Sequence, residues 1–112
     1  MNSQTLVLFT RFGMGDAPAD LQKKLAGIFL NLMSQDSPPG VIAFYGEGVK
    51  LACEGSPVLE SLEALAAKGT FLILCQTCLE FFGLREAVRV GIIGGMGDII
   101  AAMGRATKVI SV

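Results

Sequence analysis

The feature that most constrains the fold of this chain is a series of short, continuously apolar runs separated by stretches of helical periodicity. Thr5-Leu6-Val7-Leu8-Phe9, Val41-Ile42-Ala43-Phe44-Tyr45, Thr70-Phe71-Leu72-Ile73-Leu74, a short run within Ala87–Ile93, and Thr107–Val112 are the strand candidates. A strand with one wet face alternates apolar and polar side chains. Most of these do not alternate, so both of their faces are buried. Strands of that kind, spaced by helices, predict an α/β fold: three layers, α/β/α, around a mostly parallel sheet of about five strands. A length of 112 residues is enough for one such domain, residues 1–112, and too short for two.

The connections follow from local signals. Asp16 with Pro18 predicts a helix start, and Leu21, Leu25, Ile28, Phe29 and Leu32 recur at helical spacing as its expected core face. Asp36-Ser37-Pro38-Pro39-Gly40 ends that helix as a turn. Ser56-Pro57 opens a second helix through Val58, Leu59, Leu62, Leu65 and Ala66, closed by Lys68 and Gly69. Leu79–Phe82 predicts a short helix stopped by Gly83, and Asp98–Ala106 a last amphipathic one. Val49–Ala52 fits no element securely.

Composition narrows the function classes. Hydrophobic residues make up 52% and charged residues 17%, against a usual charged share of about 25%. Two explanations fit this excess: a sheet buried on both faces, or apolar surface covered by other subunits. Net charge is −1 and the basic residues are scattered, so no nucleic-acid stripe forms. No apolar run reaches the roughly 18 residues of a membrane span, and no basic-then-apolar leader opens the sequence. The expected setting is therefore cytosolic and reducing, with neither membrane nor nucleic acid as partner.

Three cysteines, Cys53, Cys75 and Cys78, are too few for a disulfide framework or a four-thiolate zinc site. The absence of histidine excludes Cys-His and Ser-His-Asp catalysis within the subunit. No metal and no organic cofactor is expected. Chemistry is legible at Cys75-Gln76-Thr77-Cys78, where a strand ends and a helix begins. A thiol there faces unpaired N–H groups and the positive end of a helix dipole, which favour the nucleophilic thiolate. The alternative is packing, since free cysteine is a small and often buried residue. Cys53, with no strand-end or helix-start signal, is read as packing.

In open parallel sheets, ligands sit beyond the carboxyl ends of the strands. Four loops lie there: Thr10–Asp16 with Arg11, Gly13 and Gly15; Gly46–Gly48; Cys75–Cys78; and Gly94–Asp98 with Gly95 and Met96. Arg11 is the only cation in these loops. The Gly13-x-Gly15 pair lacks the full dinucleotide fingerprint and the Walker lysine, so it is weak as a nucleotide motif. Each glycine can equally be read as closing a tight turn.

Gly48-Val49-Lys50-Leu51-Ala52, Glu54-Gly55-Ser56 and Cys75-x-x-Cys78-Leu79-x-x-x-Gly83-Leu84 together resemble the DsrE/DsrF-like sulfur-relay superfamily. The likeness is greatest to the DsrE-type domain of YedF-like selenium-metabolism proteins. Met14-Gly15-Asp16, and Gly91 followed by Met96 and the final helix, fit the same pattern. The resemblance implies a three-layer α/β/α fold, assembly into dimers, trimers or hexamers, and a strand-end cysteine that accepts a sulfane sulfur. Cys75 matches that cysteine by its spacing to Gly83, and Cys78 matches the second cysteine of the YedF-like branch. A sulfur donor or acceptor such as a TusA-like protein is the implied partner. Gly94-Gly95 stands where the family usually has a polar Ser-Asn before its methionine, and Gly46-Glu47 where it usually has a different polar pair before Gly48.

The leading functional expectation is a cytosolic sulfur, or selenium, carrier with a sulfurtransferase-like persulfide on Cys75. Cys78 then resolves that persulfide or tunes Cys75, and Arg11, Gly13, Gly15, Gly46, Gly48, Gly95 and Met96 line the site. The rival is a non-catalytic oligomeric module that binds a small molecule or anion. A dithiol redox protein is disfavoured because no tryptophan precedes the Cys-x-x-Cys pair.

Overall fold

A computed structural model describes all residues, 1–112. The strands are β1 (Thr5–Phe9), β2 (Val41–Phe44), β3 (Phe71–Cys75), β4 (Ile92–Gly94) and β5 (Lys108–Ser111). All neighbours pair in parallel, in the order β4-β3-β2-β1-β5. The helices are α1 (Ala19–Gln35), α2 (Leu59–Ala67), α3 (Gln76–Phe82) and α4 (Met96–Arg105). The predicted α/β architecture of about five parallel strands is the one observed.

Handedness distributes the layers. From β1 to β4 the chain steps across the sheet in one direction, so right-handed crossovers put α1 and α2 on one face. The step from β4 to β5 runs back over the whole sheet and puts α4 on the other face. Packing agrees: on the first face the Phe9 ring stacks on Phe44 and meets Phe29 of α1 edge-on. On the second, Phe71 and Ile73 share a cavity wall with Ala101 and Ala102 of α4. Every residue of β1 is buried, including Thr5, as expected of a strand covered on both sides. Each large apolar side chain so buried contributes about 1.5–3 kcal/mol relative to exposure.

Several local readings shift. α1 begins at Ala19 without a side-chain cap, so Asp16 does not cap it. The buried face of α1 is Ala26, Leu30 and Met33, while Leu21, Leu25, Ile28 and Leu32 are exposed, Leu32 at 58%. This reverses most of the predicted core face. α2 starts one turn later than Ser56, whose hydroxyl accepts the Val58 N–H instead (3.2 Å). The unassigned Val49–Ala52 belongs to a 3₁₀ segment, Gly46–Ala52. The fourth strand lies at the end of its expected range and runs one residue past it, to Gly94, and a 3₁₀ turn at Arg85–Ala87 precedes it. α4 starts at Met96, because the Asp98 carboxylate accepts the Gly95 N–H (2.9 Å) and closes its first turn from inside. No helix is long and apolar enough to cross a membrane.

Candidate functional site: a dithiol at the carboxyl end of the central strands

β3 occupies an interior position in the sheet, between β2 and β4. Its last residue, Cys75, is the register partner of Gly94 on β4. Side chains alternate along a strand, so Cys75 shares the α4-facing side of β3 with Phe71 and Ile73. The residue is 1% exposed.

Directly after Cys75 the chain turns into α3, and Cys78 stands in the first turn of that helix, half-buried. β2 supplies its partner. The Tyr45 N–H still bonds the Phe9 carbonyl on β1 (3.1 Å). Backbone groups of successive strand residues point to opposite neighbours, so the Gly46 N–H faces β3. Since β3 has become helix by this level, no strand carbonyl receives that N–H. It donates to Cys78 Sγ instead, at 3.0 Å. Gly46 makes the turn with φ of 58°.

The electrostatics of Cys78 run against the thiolate expected at a helix start. Burial pushes the Cys78 thiol above its ordinary value, and the adjacent Cys75 thiol pushes the same way by hydrogen bonding and charge. The Gly46 N–H opposes both and favours the thiolate, but the net direction is upward. At neutral pH, Cys78 therefore rests as a thiol. Cys53 is also raised, first by burial, with Arg89 acting against it. Its Sγ–H donates to the Val49 carbonyl (3.3 Å) deep in the core, in keeping with a packing role.

The other expected site residues divide. Gly46 touches Cys78 directly. Gly48 is where the 3₁₀ segment crosses the end of β1: a Cβ there would stand 2.2 Å from the Phe9 carbonyl oxygen. Gly95 and Met96 follow Gly94 beside Cys75, and Met96 is 44% exposed at the start of α4. The loop Thr10–Asp16 rises from β1, two strands away from β3, or about 10 Å by the usual strand spacing. Within it the Arg11 guanidinium donates to the Gly15 carbonyl (2.8 Å). Gly13 is pressed against α1, where a Cβ would lie 2.5 Å from Gln22. Arg11, Gly13 and Gly15 thus form a self-contained loop beside the site.

The cation that sequence reasoning did not place is Lys50. Its ammonium lies 4.6 Å from the Phe82 ring centroid, one helical turn beyond Cys78, and is paired to Glu47 at 2.8 Å. Its three-residue offset from Glu47 was the available signal, which becomes meaningful only once Gly46–Ala52 is known to be a 3₁₀ helix.

An α/β protein with a paired thiol at its strand ends is the class that this fold and site define. The chain belongs to the DsrE/DsrF-like family, whose pattern matches residues 11–112. No curated protein matches it by sequence. Among solved structures it is similar to the ychN protein of E. coli, with a TM-score of 0.68, 17% identity and 100% of each chain covered. A protein of unknown function from Methanobacterium thermoautotrophicum matches with a TM-score of 0.62 and 18% identity, over 96% of this chain and 98% of the other. A conserved protein of unknown function from Bacteroides thetaiotaomicron matches with a TM-score of 0.62 and 16% identity, over 97% and 95%. At such identities the likeness is one of fold.

Proposed function

We propose that this protein is a cytosolic carrier of sulfane sulfur, or of selenium, that holds its cargo as a persulfide on Cys75. The observation that carries this reading is the pairing of a buried strand-end thiol, Cys75, with a half-buried thiol that receives a backbone N–H, Cys78. A persulfide is readily lost to other thiols, so a carrier needs a pocket closed to bulk solvent beside a route of transfer. Membership of the DsrE/DsrF-like family favours sulfur relay. The YedF-like branch is the subfamily of choice on the Cys75-x-x-Cys78 spacing, and a TusA-like protein is the partner of choice. Gly46, Gly95 and Met96 border the sulfur, and Arg11, Gly13, Gly15 and Gly48 shape the loops around it.

Assembly into a homo-oligomer of two, three or six copies is part of the proposal. Leu21, Leu25, Ile28 and Leu32 form an exposed apolar stripe along α1 that no other element of the chain covers. The rival reading, a binding module without chemistry, has one observation in its favour. A cavity of about 280 Å³ opens between α4 and the sheet, lined by Phe71, Ile73 and Ile92 with Asp98 and Arg105 at its rim.

The deciding experiment is intact-mass analysis of reduced protein after incubation with inorganic polysulfide. A product one sulfur atom heavier, with the adduct on the Cys75–Cys78 peptide, is expected. An unchanged mass refutes the carrier and leaves the binding module.

A further inference from the structure

The two thiols of the site differ in what can reach them. Cys75 is 1% exposed, beneath the level at which β3 turns into α3. Cys78 is only half-buried, and its sulfur already accepts a hydrogen bond from Gly46. A nucleophile must approach the S–S bond of its donor in line, which demands open space beyond its sulfur. Cys78, half-buried, is the more open of the two to such an approach, whereas Cys75 is enclosed. The Gly46 N–H also marks where negative charge on the Cys78 sulfur is accommodated, because a backbone donor aimed at sulfur stabilises the thiolate over the thiol.

We infer that Cys78 is the receiving nucleophile of the carrier and Cys75 the sheltered holding position, so that sulfur passes inward from one to the other. This rests on the carrier reading and assigns the order of its steps. In the first step the Cys78 thiolate, having lost its proton to water, attacks the outer sulfur of a donor persulfide. The new S–S bond forms on Cys78, the donor's S–S bond breaks, and the donor departs as a thiolate that takes up a proton. In the second step the Cys75 sulfur, giving up its thiol proton, attacks the outer sulfur of the Cys78 persulfide. The Cys78–S bond breaks, Cys78 leaves as the thiolate facing Gly46 and takes up that proton, and Cys75 carries the persulfide. Each step exchanges one S–S bond for another, so no oxidant or reductant is consumed. Delivery to an acceptor is the same pair of steps reversed.

The arrangement gives each cysteine a distinct failure. Without Cys78, the buried Cys75 has no route to a donor. Without Cys75, Cys78 still loads, but its persulfide stays at the surface, where added thiol strips it.

The test uses the full chain with inorganic polysulfide as donor, comparing wild type, Cys75→Ser and Cys78→Ser by time-resolved intact mass and peptide mapping. Cys75→Ser is expected to take up one sulfur at close to the wild-type rate, on Cys78. Cys78→Ser is expected to load at least about ten-fold more slowly. In wild type, quenching at early times should place the sulfur on Cys78 and at late times on Cys75. That measurement needs no substitution, so it stands even if Cys75→Ser disturbs the core. Equal loading of the two variants, loading confined to Cys78→Ser, or an early wild-type adduct on Cys75 overturns the inference and leaves the carrier intact. Failure of all three proteins to load overturns the carrier reading itself.

Discussion

Gly46 and Cys78 stand 32 residues apart in the chain and 3.0 Å apart, N to Sγ, in the fold. This contact works against burial and against Cys75, which both push the Cys78 thiol upward. Alkylation of Cys78 is accordingly slow at neutral pH and accelerates as pH rises beyond 9.0, the ordinary thiol value. Iodoacetamide labelling followed by peptide mapping across that range gives the curve. A plateau reached below pH 9.0 contradicts the balance of causes described.

The same direction affects stability. Cys53 and Cys78 both hold their protons more tightly in the folded chain than the ordinary value of 9.0. Above that value an unfolded chain has lost protons that the folded one keeps, so the unfolding free energy falls as pH rises further. Below it this contribution is fully present. Urea midpoints on either side of pH 9.0 should decline on the alkaline side, and Cys53→Ala should flatten the decline.

Arg11→Ala is expected to leave the Cys78 labelling curve where it was. The guanidinium is committed to the Gly15 carbonyl at 2.8 Å, on a loop above β1 rather than β3. A shift of that curve would mean that Arg11 reaches the thiols in solution.

Gly48→Ala and Gly97→Ala form a matched pair. A methyl group at Gly48 would meet the Phe9 carbonyl oxygen at 2.2 Å, against backbone that cannot swing aside, whereas one at Gly97 meets nothing within 4 Å. Gly48→Ala should cost about 1–3 kcal/mol and slow alkylation of Cys78 at neutral pH by displacing the Gly46 N–H that favours its thiolate. Gly97→Ala, within α4, should stabilise by up to about 1 kcal/mol. Urea denaturation of both variants checks the contrast.

Ile28→Glu probes the outer face of α1. Ile28 is 51% exposed and belongs to the stripe that includes Leu21, Leu25 and Leu32. Light scattering should find an oligomer for the wild type and a smaller species for the variant, with the urea midpoint of the isolated subunit little changed. A wild-type monomer at micromolar concentration refutes the assembly.

What was legible in the sequence depended on whether the signal was local. The strands were, because continuous apolar runs such as Thr5–Phe9 and Thr70–Leu74 signal a strand covered on both faces. α1 was legible as a helix, but its orientation was not. Ala26, Leu30 and Met33 recur at helical spacing just as Leu21, Leu25, Ile28 and Leu32 do, and a helix apolar on two sides does not announce which one faces the sheet. Of the expected site, Gly46 and Cys78 come together because β2 and β3 are neighbours, while Gly48 lies against the end of β1. The Arg11 loop stands apart because β1 is one strand further over. Spacing along the chain carries no information about strand order. The sign of the Cys78 shift was hidden for a related reason, since burial of a thiol depends on what folds over it.

The return crossover from β4 to β5 has a consequence for synthesis of the chain. β5 is the strand that covers the outer edge of β1, and the Thr107 hydroxyl bonds the Gln4 carbonyl across 103 residues. At ribosomal rates of about 5–20 residues per second, that interval of 103 residues leaves the edge of β1 bare for roughly 5–20 s. A strand that is buried along its whole length in the finished fold is then open to pairing with a neighbouring nascent chain. Polysome density and the spacing of ribosomes on the message thus become determinants of how much of this protein reaches its native form.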